Sequence, residues 1–176
     1  SCPDVLDILY AEATWTPWTA GPLDFRFAAQ YTYQQSNGDD LLTGSSFDTN
    51  QIGLKAEASH GAVMGTLAFT TADAESDLRN PWSSCPGYTS VMVQDFNRAG
   101  EDAAMVKVSL DLCKALGLAG VTTYALWVGG WDRASGPNED EIDLDLQWRP
   151  FQKQWKPFSF RLRYAHVDQR DTGDSL

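Results

Sequence analysis

The chain has 176 residues and a formal net charge of −11, which argues against nucleic acid as a partner, since a phosphate binder needs a basic face. Its mean hydropathy is −0.35, and no stretch approaches the ~18 apolar residues of a membrane helix. Cys2, Cys85 and Cys113 are widely spaced and odd in number, so no CxxC or Cys/His zinc pattern arises and no disulfide is singled out.

Alternation of apolar and polar residues predicts eight strands. The first, about Leu6 to Thr16, has no clear facing. In the second, Phe25, Phe27, Ala29, Tyr31 and Tyr33 share one face, and Arg26, Ala28, Gln30 and Thr32 the other. The third sets Ile52, Leu54, Ala56 and Ala58 against Gln51, Gly53, Lys55, Glu57 and Ser59. The fourth, Val63 to Thr71, turns Leu67 and Phe69 outward. The fifth sets Val106, Val108, Leu110 and Leu112 against Lys107, Ser109 and Asp111. The sixth, about Val121 to Val128, has two acceptable faces. The seventh opposes Ile142, Leu144, Leu146 and Trp148 to Glu141, Asp143, Asp145, Gln147 and Arg149. The eighth opposes Phe158, Phe160, Leu162 and Tyr164 to Ser159, Arg161, Arg163 and Ala165. No segment shows a comparable helical period.

The connections predict the architecture. Pro17 to Asp24, His60 to Ala62, Cys113 to Gly120 and Pro150 to Pro157 are brief. Gln34 to Asn50, Thr71 to Asp102 and Gly129 to Asp140 are longer and hold much of the acid, including Asp39, Asp40, Asp48, Asp73, Glu75, Asp77, Asp132 and Glu139. Tight turns at one end and long loops at the other mark an all-β, antiparallel, up-and-down transmembrane barrel, whose wall alternates too finely to register as hydropathy. Trp15, Trp18 and Phe25 flank one short turn, and Trp148, Phe151, Trp155 and Phe158 flank another. Tyr31, Tyr33, Phe69 and Tyr164 lie toward the long-loop ends. Two aromatic levels fit the girdles at bilayer interfaces. The same alternation fits a soluble β-sheet binding domain, in which Trp82, Trp131 and Tyr88 would stack on a ligand such as a sugar.

Four runs resemble one family in order: Tyr31 to Ser59 (YTYQQSNGDDLLTGSSFDTNQIGLKAEAS), Asn80 to Ala103 (NPWSSCPGYTSVMVQDFNRAGEDA), Asp140 to Trp148 (DEIDLDLQW) and Phe160 to Gln169 (FRLRYAHVDQ). Together they resemble the OprD family of outer-membrane channels. The resemblance implies a monomeric barrel of about eighteen strands, of which this chain, a single partial domain, supplies roughly strands ten to seventeen. Both ends then read as cut, at Ser-Cys-Pro and in the run from Asp168 to Leu176. The first half, with the inward loop that narrows such pores, would lie elsewhere. Closure of these eight strands into a small barrel is geometrically allowed.

The resemblance implies passive uptake of small carboxylate-bearing solutes, anionic or zwitterionic, through a bilayer and without a cofactor. Arg161 and Arg163 match the family's RLRYA segment and are the first candidates for a basic ladder. Successive same-face residues sit ~6.8 Å apart on a strand, so an anion can pass from one guanidinium fork to the next. Arg26, Lys55 and Arg149 share their side by parity, with Glu57, Asp143 and Asp145 as neutralising neighbours. Glu141, Asp143 and Asp145 would form an acidic strip opposite, producing a transverse field that orients a zwitterion. In the long loop, Tyr88, Ser90 and Asp95 are candidates for an eyelet. For catalysis the chain offers only His60 and His166 as histidines, with no GxSxG elbow, and no calcium-loop pattern is present.

Overall fold

The computed structural model describes residues 5–17, 21–40, 44–80, 87–150 and 158–170. Eight strands form one sheet in sequence order: β1 (Leu6–Trp15), β2 (Asp24–Ser36), β3 (Asp48–His60), β4 (Val63–Ala72), β5 (Asp102–Asp111), β6 (Val121–Trp131), β7 (Asn138–Trp148) and β8 (Phe160–Arg170). Each pairs antiparallel with its neighbour in the chain, and among the described residues β1 and β8 are edges that do not pair with each other.

The pleat sorts the residues by chemistry. Leu9, Trp15, Phe27, Tyr31, Leu54, Leu67, Trp127, Leu144 and Leu162 are exposed on one face. The register joins them into rows, with Leu54 opposite Phe69 and Leu144 opposite Tyr164. On the other face Gln30, Thr32, Gln34, Gln51, Thr66, Thr70, Glu141 and Asp143 are buried. A sheet with an apolar face in the open and a polar face covered is the reverse of a soluble sheet, and suits a wall with lipid outside and water within. Aromatic stacking of Trp15 on Phe27 and of Phe27 on Phe25 marks the short-turn end. Trp18, Phe151 and Trp155 lie outside the described residues.

Several expectations need correction. Leu112 does not extend β5 but opens a short helix, α1 (Leu112–Leu116). Asp111 caps it, accepting the Cys113 and Lys114 N–H groups at 3.0 and 3.1 Å, and Gly117 ends it in the left-handed region at φ 73°. Five residues are too few to print a helical period on the sequence. The β6–β7 link is also not long: Gly129 and Gly130 pair with Asp140 and Glu139, so only 132–137 lie between the strands, fewer than in 112–120. Glu139, which looked like loop, is strand, whereas Asp132 stays in the link.

The polar face is covered by the described parts of the link between β4 and β5, residues 73–80 and 87–101. Its Phe96 is buried with Ala68, Ala103, Met105, Leu126 and Val128, the main apolar cluster of the molecule. This orients β6, whose two faces were indistinguishable in the sequence: Leu126 and Val128 point inward because an apolar ring meets them there. Gly130 provides the seat, since a Cβ at that position would come within 2.7 Å of the Phe96 ring. Phe96 itself holds φ 48°, a costly conformation for a bulky residue, sustained by the burial of its ring. Phe96→Ala should therefore loosen this loop at about 3–5 kcal/mol while leaving the strand ladder intact. Limited proteolysis of the folded barrel checks it: the loop should become the new cleavage site, with no added cleavage in the strands.

Candidate functional site

The loop is fastened to the wall across seven strands. Tyr88 donates its hydroxyl to Glu12 on β1 at 2.8 Å, and its ring lies 4.5 Å from the Lys55 ammonium on β3. Gln34 on β2 bonds Arg79 twice, accepting its N–H and donating to its carbonyl. Thr49 and Gln51 on β3 donate to the carbonyls of Ser76 and Phe96. Thr70 on β4 and Thr89 share a buried hydroxyl pair at 2.6 Å. On β7, Asp143 accepts the Met92 N–H at 3.2 Å, and Glu141 accepts those of Val93 and Gln94 at 2.9 and 2.8 Å.

A second tie lies at the long-loop end. Arg133 is fully buried between Glu101 and Glu139, at 3.8 and 3.4 Å, and donates to the Pro137 carbonyl. Arg98 reaches Glu139 at 3.6 Å, and its N–H donates to Glu101. Burial pushes the Glu101 carboxyl above its ordinary value, outweighing the Arg98 contacts that lower it.

Beside the loop, the wall and the strap of residues 88–92 enclose a cavity of about 440 Å³. Arg161, Arg163, Lys55, Glu57, Asp143, Tyr88 and Ser90 all line it. Asp145 holds both arginines, with Nε–Oδ2 distances of 2.6 Å to Arg161 and 3.4 Å to Arg163. Arg26 lies alongside, 3.9 Å from Glu57. A further hollow of about 460 Å³ toward the short-turn end shares Met64, Tyr124 and Arg161 with the first, so the two are adjacent along the polar face.

Three candidates lie away from the cavity or are covered. Arg149 lies beyond the end of β7, where its N–H bonds Gly120, and it lines a third hollow that shares Asp111, Lys114, Thr122 and Gln147 with the second. Asp95 does not line the cavity but ties the loop internally, accepting from Asn80 at 2.9 Å and Ser90 at 2.7 Å. The acidic strip is not presented to solute either: Glu141 and Asp143 are fully buried under the loop, and Asp145 is held by the arginines. The inward loop, expected only in the other half of the barrel, has a counterpart here.

The sequence reading missed Lys107 and Tyr124. The Lys107 ammonium sits 4.2 Å over the Tyr124 ring, repeating the Lys55–Tyr88 arrangement, and Met64, Met92 and Met105 add an apolar side to the cavity. Parity with Ser109 and Asp111 had placed Lys107 correctly, but gave no reason to choose it. Neither histidine lines the cavity: His60 Nδ1 contacts the Pro22 carbonyl, and His166 pairs with Ile142 on the apolar face. Trp131 packs against Phe69, while Trp82 lies outside the described residues.

No protein-family model matches the chain, and no curated protein matches it. Solved structures do. OpdL of Pseudomonas aeruginosa superposes with a TM-score of 0.87 at 18% identity, over 97% of this chain and 48% of that one. OpdK of the same organism, solved with vanillate, gives 0.86 at 17%, over 96% and 45%. OccAB1 of Acinetobacter baumannii gives 0.83 at 16%, over 96% and 46%. These neighbours are OprD/Occ porins of Gram-negative outer membranes. The chain spans about half the length of the solved chains it matches, and the likeness shows its fold: eight strands of a larger antiparallel transmembrane β-barrel.

The Glu101 tie gives a pH test. Because its folded carboxyl holds the proton more tightly than the unfolded one, its contribution is complete below the ordinary value near 4.5 and is lost as pH rises through the raised value. Protection of the loop against protease should fall across that window, and Glu101→Gln should flatten the fall while keeping the acceptor for the Arg98 N–H.

Proposed function

We propose that this chain is the later part of an OprD/Occ-type channel, a monomeric outer-membrane barrel that passes small carboxylate-bearing solutes by diffusion through a water-filled lumen. Such a channel has no reaction to catalyse; it selects by width and by the charges on its wall. The observation that carries the reading is how the wall charges are exposed. Among ion-paired groups, the side chains of Arg26, Arg161 and Arg163 are 56, 40 and 51% exposed, whereas those of Glu57 and Asp145 are 19 and 6%. Glu141 and Asp143 are fully buried. A solute in the cavity therefore meets mainly cations, although the chain as a whole carries −11 and Asp24 and Asp111 line the short-turn hollow.

The vanillate in the OpdK structure is a carboxylate, which supports the same class of solute. Arg161 and Arg163 offer planar forks that take a carboxylate through two hydrogen bonds, and Lys55 and Lys107 add point charges at the cavity. The two Lys–Tyr pairs hold these ammonium groups over ring faces, which order them without a direct salt bridge. Anions entering from the long-loop side would pass beneath the strap and leave along Arg161 toward the short-turn hollow.

Planar-bilayer recordings with the full-length gene product test this. Arg161→Gln with Arg163→Gln should move the reversal potential in a potassium acetate gradient toward cation selectivity and weaken block by added carboxylates several-fold. Asp145→Asn should shift the potential the opposite way, because it releases both arginines. An unchanged potential in both variants would overturn the reading.

A further inference from the structure

We infer that Glu141 is a positioning residue that sets the width and selectivity of the lumen without touching the solute. The inference rests on the channel reading above. Glu141 lies on the inward face of β7, where a porin wall would offer a charge to the solute, yet its side chain is fully buried. Its two carboxylate oxygens take separate donors, Oε1 the Val93 N–H at 2.9 Å and Oε2 the Gln94 N–H at 2.8 Å. Asp143, one step along the same face, takes the Met92 N–H at 3.2 Å. Three consecutive backbone donors are thus captured by two carboxylates of one rigid strand.

Those donors have few alternatives. A loop crossing a sheet face cannot use the ladder, and a buried N–H without an acceptor costs about as much as a lost hydrogen bond. The N–H groups of residues 92–94 belong to the part of the strap that presents Met92 and Val91 to the cavity and leads back to Ser90 and Tyr88. Residues 88 and 89 are held separately, by the Tyr88–Glu12 hydrogen bond, the Lys55–Tyr88 contact and the buried Thr70–Thr89 pair. The strap is therefore pinned at its start on β1, β3 and β4 and at residues 92–94 on β7, and Glu141 decides how far the 91–94 stretch stands from Arg161 and Arg163. Held in place, it obliges solutes to travel along the arginine side; released, it opens a route past them.

The experiment compares Glu141→Leu, Glu141→Gln, a deletion of residues 88–95, and the Arg161→Gln/Arg163→Gln pair in the full-length protein, by single-channel recording in potassium acetate. Glu141→Leu should raise unitary conductance and open-channel noise and reduce acetate preference, approaching the loop deletion. Glu141→Gln keeps one acceptor and should fall between it and the native channel. That graded order separates positioning from general damage and stands in if the leucine variant fails to insert. Native conductance and selectivity in both Glu141 variants, with the loop deletion still widening the channel, would overturn the inference and leave the channel reading in place. An unaltered acetate preference in the arginine pair would mark failure of that reading instead.

Discussion

A loop laid across a sheet brings backbone donors and acceptors that no strand can pair, and the arrangement of this molecule follows from how they are met. Buried amides left without partners would cost more than the loop gains from its few apolar contacts. The wall supplies the partners. Gln34, Thr49 and Gln51 reach the loop carbonyls, and Glu141 and Asp143 take its N–H groups. Phe96 then adds the apolar anchor over Gly130. Side chains that look like pore lining in a period-two pattern are in fact the loop's hydrogen-bonding surface.

This division of labour shapes the electrostatics. The acids of the inward face are spent on structure: two on the strap, Glu101 and Glu139 on Arg133, and Asp145 on its pair of arginines. What is left at the cavity is mainly basic, with Glu57 as the partly exposed acid and Lys55 and Lys107 set over tyrosine rings. A strongly acidic chain can thus line its path with cations, because charge acts locally, where it is exposed.

Most of the fold was legible in the sequence, and the exceptions share a cause. β2, β3, β7 and β8 alternate cleanly because one face meets an apolar medium and the other polar groups, so parity alone gave their facing. β6 resisted because Leu126 and Val128 face Phe96, making both sides apolar. α1 was missed because a cap at Asp111 and a glycine at 117 suffice for one turn. Among site residues, parity placed Glu141, Asp143, Arg161 and Arg163 on the right face but could not give them tasks. The Glu141 partners lie 47 and 48 residues away, and no local pattern encodes a contact at that distance. Tyr88 and Ser90 were named only as residues of a long loop able to fold inward, and Lys107 not at all, since a lone lysine on a strand has nothing to distinguish it.

The shared carboxylate of Asp145 bears on how such a path can conduct. Two free guanidinium forks a strand step apart would hold a carboxylate firmly, and a channel that binds too well passes little. Full neutralisation would leave no attraction. Asp145 lies between these limits: one charge divided between two arginines, 2.6 Å from one and 3.4 Å from the other, with both guanidinium groups about half exposed. In the channel proposed above, an arriving carboxylate would compete with Asp145 for donors already in place. It would gain hydrogen bonds of the same kind that it displaces from the protein, so the net attraction would be small while the geometry stays fixed. Weak binding with ordered donors is what selective diffusion requires, and a single acid held against two bases would provide it.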